Sequence, residues 1–107
     1  MTHEEYIEGV KIFTNEMKSV TGVKNLDYSA GKDEAMESFY SIANRSGITP
    51  IQAWFVLVQK HVQAIERFVK TGKLTSEPIH SRFIDLANYA MLGSALVEDL
   101  EKKSKLN

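Results

Sequence analysis

Residues 49–72 carry a helix with a start and a stop signal at its two ends. Thr49-Pro50-Ile51-Gln52 places a hydroxyl at the N-cap, a proline at the first helical position and a glutamine three residues after the cap. Thr71-Gly72 supplies the stop. Between them, residues 51–70 contain neither proline nor glycine. Ile51, Phe55, Val58, Val62 and Ile65 form one apolar seam, and Trp54, Leu57, His61, Ala64 and Phe68 form another beside it. A helix with two adjacent apolar seams must be covered on a broad front. It therefore predicts a central helix surrounded by others.

The flanking segments supply those others. Thr2 and Glu5 form a capping box before Tyr6, Val10, Phe13, Met17 and Val20, which recur at helical spacing. This first helix is expected to fade at Thr21-Gly22. A shorter second helix is expected from Asp33, with Met36, Phe39, Tyr40 and Ala43 on its apolar side and Gly47 at its end. A fourth is expected from Ser76-Glu77-Pro78, with Ile79, Phe83, Leu86, Ala90, Gly93, Val97 and Leu100 at heptad spacing. Ala87, Ala90, Gly93, Ser94 and Ala95 make its middle slim, open to a close neighbour within the chain or across a subunit interface. The expectation is an all-α, single-domain four-helix bundle over residues 1–107. At this length the core is modest, so a homo-oligomer, dimer or tetramer, is expected.

Charge and composition exclude several functions. The net charge of -1 gives no whole-molecule field for nucleic acid, so no DNA partner is expected. There is no cysteine, which removes disulfides and thiolate metal sites. No apolar run reaches membrane-spanning length, and the acidic start Met1-Thr2-His3-Glu4-Glu5 does not resemble a signal peptide. A cytoplasmic protein with no membrane partner is expected. Walker, HExxH and G-x-S-x-G patterns are missing, and His3, His61 and His80 are too scattered for a zinc site. No cofactor, metal site or catalytic residue is assigned.

Three polar groups stand out against the apolar pattern. Arg82, Asp85, Asn88 and Tyr89 share one face of the fourth helix. They are either an ion pair with a tyrosine stopper or a wall that reads a ligand. Lys60, Gln63 and Arg67 form one stripe of the third helix, either a solvated face or a phosphate grip. His61 lies on the apolar side, where a structural role is the simpler one. The third group is Asn25-Leu26-Asp27-Tyr28-Ser29-Ala30-Gly31-Lys32, the one long polar, turn-rich stretch. It leads toward a helix N-terminus, a position that favours anions. The carboxylates Asp33, Glu34 and Glu37 follow it and suit a helix start.

The order N-x-D-Y-x-x-G-K, a helix containing Phe39, I-T-P, Lys60-His61 with Arg67, then R-x-x-D-x-x-N-Y resembles a family of small helical proteins encoded mainly by phages. They are grouped as nucleotide-modification-associated domains, and the resemblance spans about Lys24 to Asp99. Asn25, Asp27, Tyr28, Lys32, Lys60, Arg67, Arg82, Asp85, Asn88 and Tyr89 are the family-like positions. The resemblance implies a nucleotide ligand and a viral setting, hence a host bacterial cytoplasm.

Two mechanisms are compatible with it. One is a MazG-like metal-dependent pyrophosphohydrolase, which needs clustered carboxylates for Mg²⁺. Glu34-x-x-Glu37 supplies one half of such a cluster, but Asp85-x-x-Asn88 puts an amide in the other. The second is a sponge that binds a cyclic dinucleotide of CBASS defence signalling and holds it unreacted. Tyr28 and Tyr89 would stack on bases. Lys32, Lys60, Arg67 and Arg82 would meet phosphates. Asn25 and Asn88 would read base or ribose edges, with Asp85 orienting Arg82. The sponge fits the excess of cations over metal ligands better. A third class, an interaction module that inhibits a host enzyme, fits the charge pattern too.

Overall fold

Helices form wherever the periodicity asks for them. The computed structural model describes residues 1–28, 35–73 and 78–106. In chain order its elements are α1 (His3–Tyr28), α2 (Glu37–Ser46), α3 (Pro50–Thr71) and α4 (Ile79–Leu106). The protein is an all-α four-helix bundle. The central pair is α3 and α4; α2 packs on α3, and α1 packs on α4. The bundle measures 51 × 29 × 23 Å, with a radius of gyration of 16.1 Å. A compact domain of this length would have a radius near 13 Å, so the shape is elongated.

The helix ends follow the expected chemistry closely around α3. Thr49 Oγ1 accepts from Gln52 N at 3.2 Å, and Gln52 Oε1 accepts from Thr49 N at 2.9 Å. The capping box is therefore complete. Gly72 adopts φ +71° and donates its N–H to Phe68 O at 2.7 Å, closing the other end. Gly47 ends α2 in the same left-handed region, with φ +68°. Both positions favour glycine because a Cβ is strained there. At the start of α1, Thr2 Oγ1 accepts from Glu5 N at 3.1 Å.

Two boundaries differ from expectation. α1 does not stop at Thr21-Gly22 but continues to Tyr28. A glycine inside a helix costs only about 1 kcal/mol relative to alanine, and Val23, Lys24 and Leu26 around it can continue the helix. Asn25, Asp27 and Tyr28 thus belong to the last turns of α1 and not to a loop. The helix α2 begins at Glu37, not Asp33; Met36 precedes it with φ -99° and ψ 7° and is buried. Asp33 and Glu34 lie outside the described residues, as do Ser76 and Glu77 before α4.

The core is built from Met36, Phe39, Val58, Tyr89 and Leu96, with Trp54, Leu57, Leu86, Leu92 and Leu100 packed around it. The inward face of α4 keeps Leu86, Gly93 and Leu100 of the expected heptad but extends one residue step to the side of it. Asp85, Tyr89, Leu92, Leu96 and Asp99 point inward, while Phe83, Ala90 and Val97 are exposed. The reason is local. Gly93 cannot fill a core position, but it can admit a large ring, and the ring of Trp54 occupies that space. A Cβ built on Gly93 would stand 2.6 Å from Trp54 Cε2. The slim middle of α4 therefore receives an indole from α3 within the same chain.

Candidate functional site

The broad inward face of α4 carries polar side chains into the helix pair. Asp85 and Asn88 are buried, and so is His61 on the facing side of α3. His61 Nδ1 lies 3.7 Å from Asp85 Oδ2. The ring of Tyr89, also buried, tilts against the imidazole with centroids 4.8 Å apart and planes at 41°. Two turns before His61 on α3, Trp54 Nε1 donates to Tyr89 O at 2.7 Å. Arg82 is half-buried at the start of the same face. His61, Arg82, Asp85, Asn88 and Tyr89 are all engaged in non-covalent contacts. Carrying a carboxylate and an amide into a small core costs free energy unless each is paired. Leucines at these positions would satisfy the packing without that cost.

The candidate site residues fall into three groups. Arg82, Asp85, Asn88 and Tyr89 do form one inward wall. Asp85, expected to orient Arg82, stands opposite His61. Lys60 and Arg67 are exposed on the outer side of α3, with Gln63. They border the buried seam that holds His61 and Ala64 but are not part of it. Asn25 and Tyr28 lie on the last turns of α1, and their side chains fall outside the described residues. Lys32 also lies outside them, with Ser29, Ala30 and Gly31. Trp54, expected in the core, is half-buried and packs against it.

Sequence reasoning assigned His61 to packing alone and missed its facing carboxylate. The signal was present in the seam Trp54-Leu57-His61-Ala64-Phe68, since an inward histidine needs a polar partner across the interface. A second cluster was missed entirely. Tyr40 OH donates to Asp99 Oδ2 at 2.6 Å, joining α2 to α4. Lys103 Nζ lies 3.2 Å from the same oxygen and 3.8 Å from the centre of the Tyr40 ring. The hydrogen bond from Tyr40 holds the Asp99 carboxyl below its usual range. Burial, then the bond to Asp99, pushes the Tyr40 phenol up. Burial pulls Lys103 down, but hydrogen bonds to Asp99 and Tyr40 outweigh it and leave the ammonium raised. The cue was Asp99 itself, which extends the stripe Asp85-Tyr89-Leu92-Leu96 by one heptad step.

Among the described residues, no three histidine, aspartate or glutamate side chains converge to hold a metal ion. Within the same residues, no helix is long and apolar enough to cross a membrane. Comparison with protein-family models, curated proteins and solved structures finds no match to this chain.

Proposed function

We propose that this protein binds a nucleotide and holds it unreacted, acting as a sponge for a cyclic dinucleotide defence signal in an infected bacterial cytoplasm. One observation carries the reading: the polar wall of α4, with Asp85, Asn88 and Tyr89 buried and Arg82 half-buried. Polar groups inside a small core are kept where hydrogen bonding holds them, and such a set can also serve recognition at its half-buried edge, where Arg82 lies. Their chemistry suits a nucleotide. A guanidinium meets phosphate oxygens in a fixed fork. An amide can donate and accept at a base edge. Base stacking falls to the phenol of Tyr28, since the Tyr89 ring is packed against His61.

The remaining assignments extend that wall. Lys60 and Arg67, exposed on α3, draw a phosphodiester toward the protein by charge. Lys32 clamps a phosphate, Asn25 reads a base or ribose edge and Tyr28 stacks on a base. The order of these residues, N-x-D-Y-x-x-G-K followed by R-x-x-D-x-x-N-Y, is what links the wall to phage nucleotide-binding proteins. A pyrophosphohydrolase would need a carboxylate set for Mg²⁺. Glu34-x-x-Glu37 supplies one half of that set, but Asn88 stands where the other half needs an acid.

The test is a depletion and release assay. The protein is incubated with nucleoside triphosphates and cyclic dinucleotides, with and without Mg²⁺ or Mn²⁺, and the free ligand is chromatographed. Heat denaturation should return a captured cyclic dinucleotide intact. Arg82→Ala and Tyr28→Ala should each weaken capture and leave the helical circular dichroism unchanged. Metal-dependent turnover of a triphosphate would refute the proposal in favour of a hydrolase. Neither capture nor turnover would refute it in favour of an interaction module.

A further inference from the structure

The apolar seam of α1 continues past the point where the rest of the chain stops covering it. Tyr6, Val10, Phe13, Met17 and Val20 follow one another at steps of four and three, a heptad stripe. Phe13, Met17 and Val20 are half-buried. Every residue from Met1 to Ile12 is exposed, including Tyr6 at 57% and Val10 at 43%. Glu5, Tyr6, Gly9, Val10 and Phe13, with Met1, line a groove of about 330 Å³. A Cβ built on Gly9 would meet nothing within 4 Å, so a second backbone can come close there.

The surface area points the same way. The chain exposes 7693 Å². A folded monomer of 12.1 kDa exposes about 6,000 Å². The excess of about 1,700 Å², spread over the whole chain, leaves room for the roughly 800 Å² that each partner contributes to a stable interface. Glu4, Glu5, Glu8 and Glu16 outnumber Lys11 and Lys18 along this segment, so an anionic lipid surface is a poor cover for it. A surface that is bare as soon as the chain folds needs a partner present at that moment, and another copy of the chain always is.

We infer that two copies pair through the first turns of α1, antiparallel about a two-fold axis, with Tyr6, Val10 and Phe13 of each seated beside Gly9 of the other. Such an isologous contact closes on itself and continues the seam in which Phe13, Met17 and Val20 are half-buried. The pairing does not depend on nucleotide, and the assay contains none.

The experiment is sedimentation velocity or light scattering after gel filtration, on the full chain. At about 100 µM protein, well above the micromolar to picomolar range of standard interfaces, the wild type should run at twice the monomer mass or an even multiple of it. Val10→Glu should weaken the pairing at least tenfold and leave the circular dichroism unchanged. Tyr6→Lys, on a turn whose residues are all exposed, should do the same and guards against a folding defect in the first variant. Val69→Glu, at an exposed apolar position on α3, should leave the assembly intact. A wild-type monomer at that concentration overturns the inference. So does an oligomer that survives both α1 substitutions, or one that only Val69→Glu dissociates.

Discussion

Gly93→Ala is the substitution on which helix propensity and packing disagree in sign. Gly93 sits in the interior of α4, and propensity alone makes alanine there more stable by about 1 kcal/mol. The geometry opposes this. The new methyl would lie 2.6 Å from Trp54 Cε2 and 2.7 Å from Cζ2. Ordinary contact begins near 3.4 Å, so the indole must withdraw by about 0.8 Å. That motion stretches the Trp54 Nε1 to Tyr89 O bond, now 2.7 Å, to about 3.5 Å, beyond hydrogen-bond range. Overpacking costs about 1–3 kcal/mol. Leaving a half-buried N–H unsatisfied costs roughly another 1–3 kcal/mol. The two overlap, since one movement partly relieves the first by incurring the second. Setting the propensity gain against them leaves a net loss of about 2 kcal/mol. With an unfolding entropy of about 2.1 cal/mol/K per residue, that lowers the Tm of a chain this long by roughly 9 °C.

Thermal denaturation followed at 222 nm, with emission of Trp54 as a local probe, measures the effect. Trp54 is the sole tryptophan of the chain, so its emission reports on this contact alone. Trp54→Phe provides the control. A phenyl ring is shorter and carries no N–H, so Gly93→Ala in that background should be neutral or stabilising by up to about 1 kcal/mol. The cycle should show a coupling of about 2–3 kcal/mol. If Gly93→Ala raises the Tm in the wild-type background, the indole does not occupy the space above Gly93 and the seating of α3 on α4 described above is wrong.

Two further outcomes can be checked with simpler measurements. Thr49→Ala removes the hydroxyl that accepts from Gln52 N and should cost about 1 kcal/mol in urea denaturation, with m unchanged. Tyr40→Phe removes the donor that lowers the Asp99 pKa, so the Asp99 titration followed by NMR should move up toward the ordinary carboxylate range. The sign for stability follows from that shift. A carboxyl held lower in the folded state stabilises above its unfolded pKa, and the contribution is lost as pH falls through the folded value. Wild type and Tyr40→Phe should therefore differ in stability at neutral pH and converge below the Asp99 titration. A difference that persists unchanged into that acid range would show that the hydroxyl acts through packing and not through Asp99.

Legibility differed sharply along the chain. α3 could be read in full because both of its ends are chemical events within four residues: a hydroxyl cap with proline at one end, a left-handed glycine at the other. α1 was misjudged at Gly22 because one glycine is too weak a breaker when its neighbours favour helix. The face of α4 was legible only in part: Leu86, Gly93 and Leu100 of the apolar stripe do face the core, but Phe83, Ala90 and Val97 are exposed and the stripe beside them, with Asp85, is buried. Periodicity counts apolar residues and cannot see that an aspartate will find a histidine across the interface. The wall Arg82, Asp85, Asn88 and Tyr89 was legible as a group because it lies on one helix. Its facing residue was not, since pairing between α3 and α4 is a tertiary fact that no local spacing encodes.

The buried His61–Asp85 pair also sets where the two central helices meet along their length. A slip by one turn, about 5.4 Å, would bring the Asp85 carboxylate opposite Leu57 in one direction or Ala64 and Ile65 in the other. Neither side offers a polar group in place of the imidazole, so the contact across the helix pair would be lost. An all-aliphatic interface would tolerate such a slip far more readily. The pair therefore favours the register in which Trp54 also lies over Gly93.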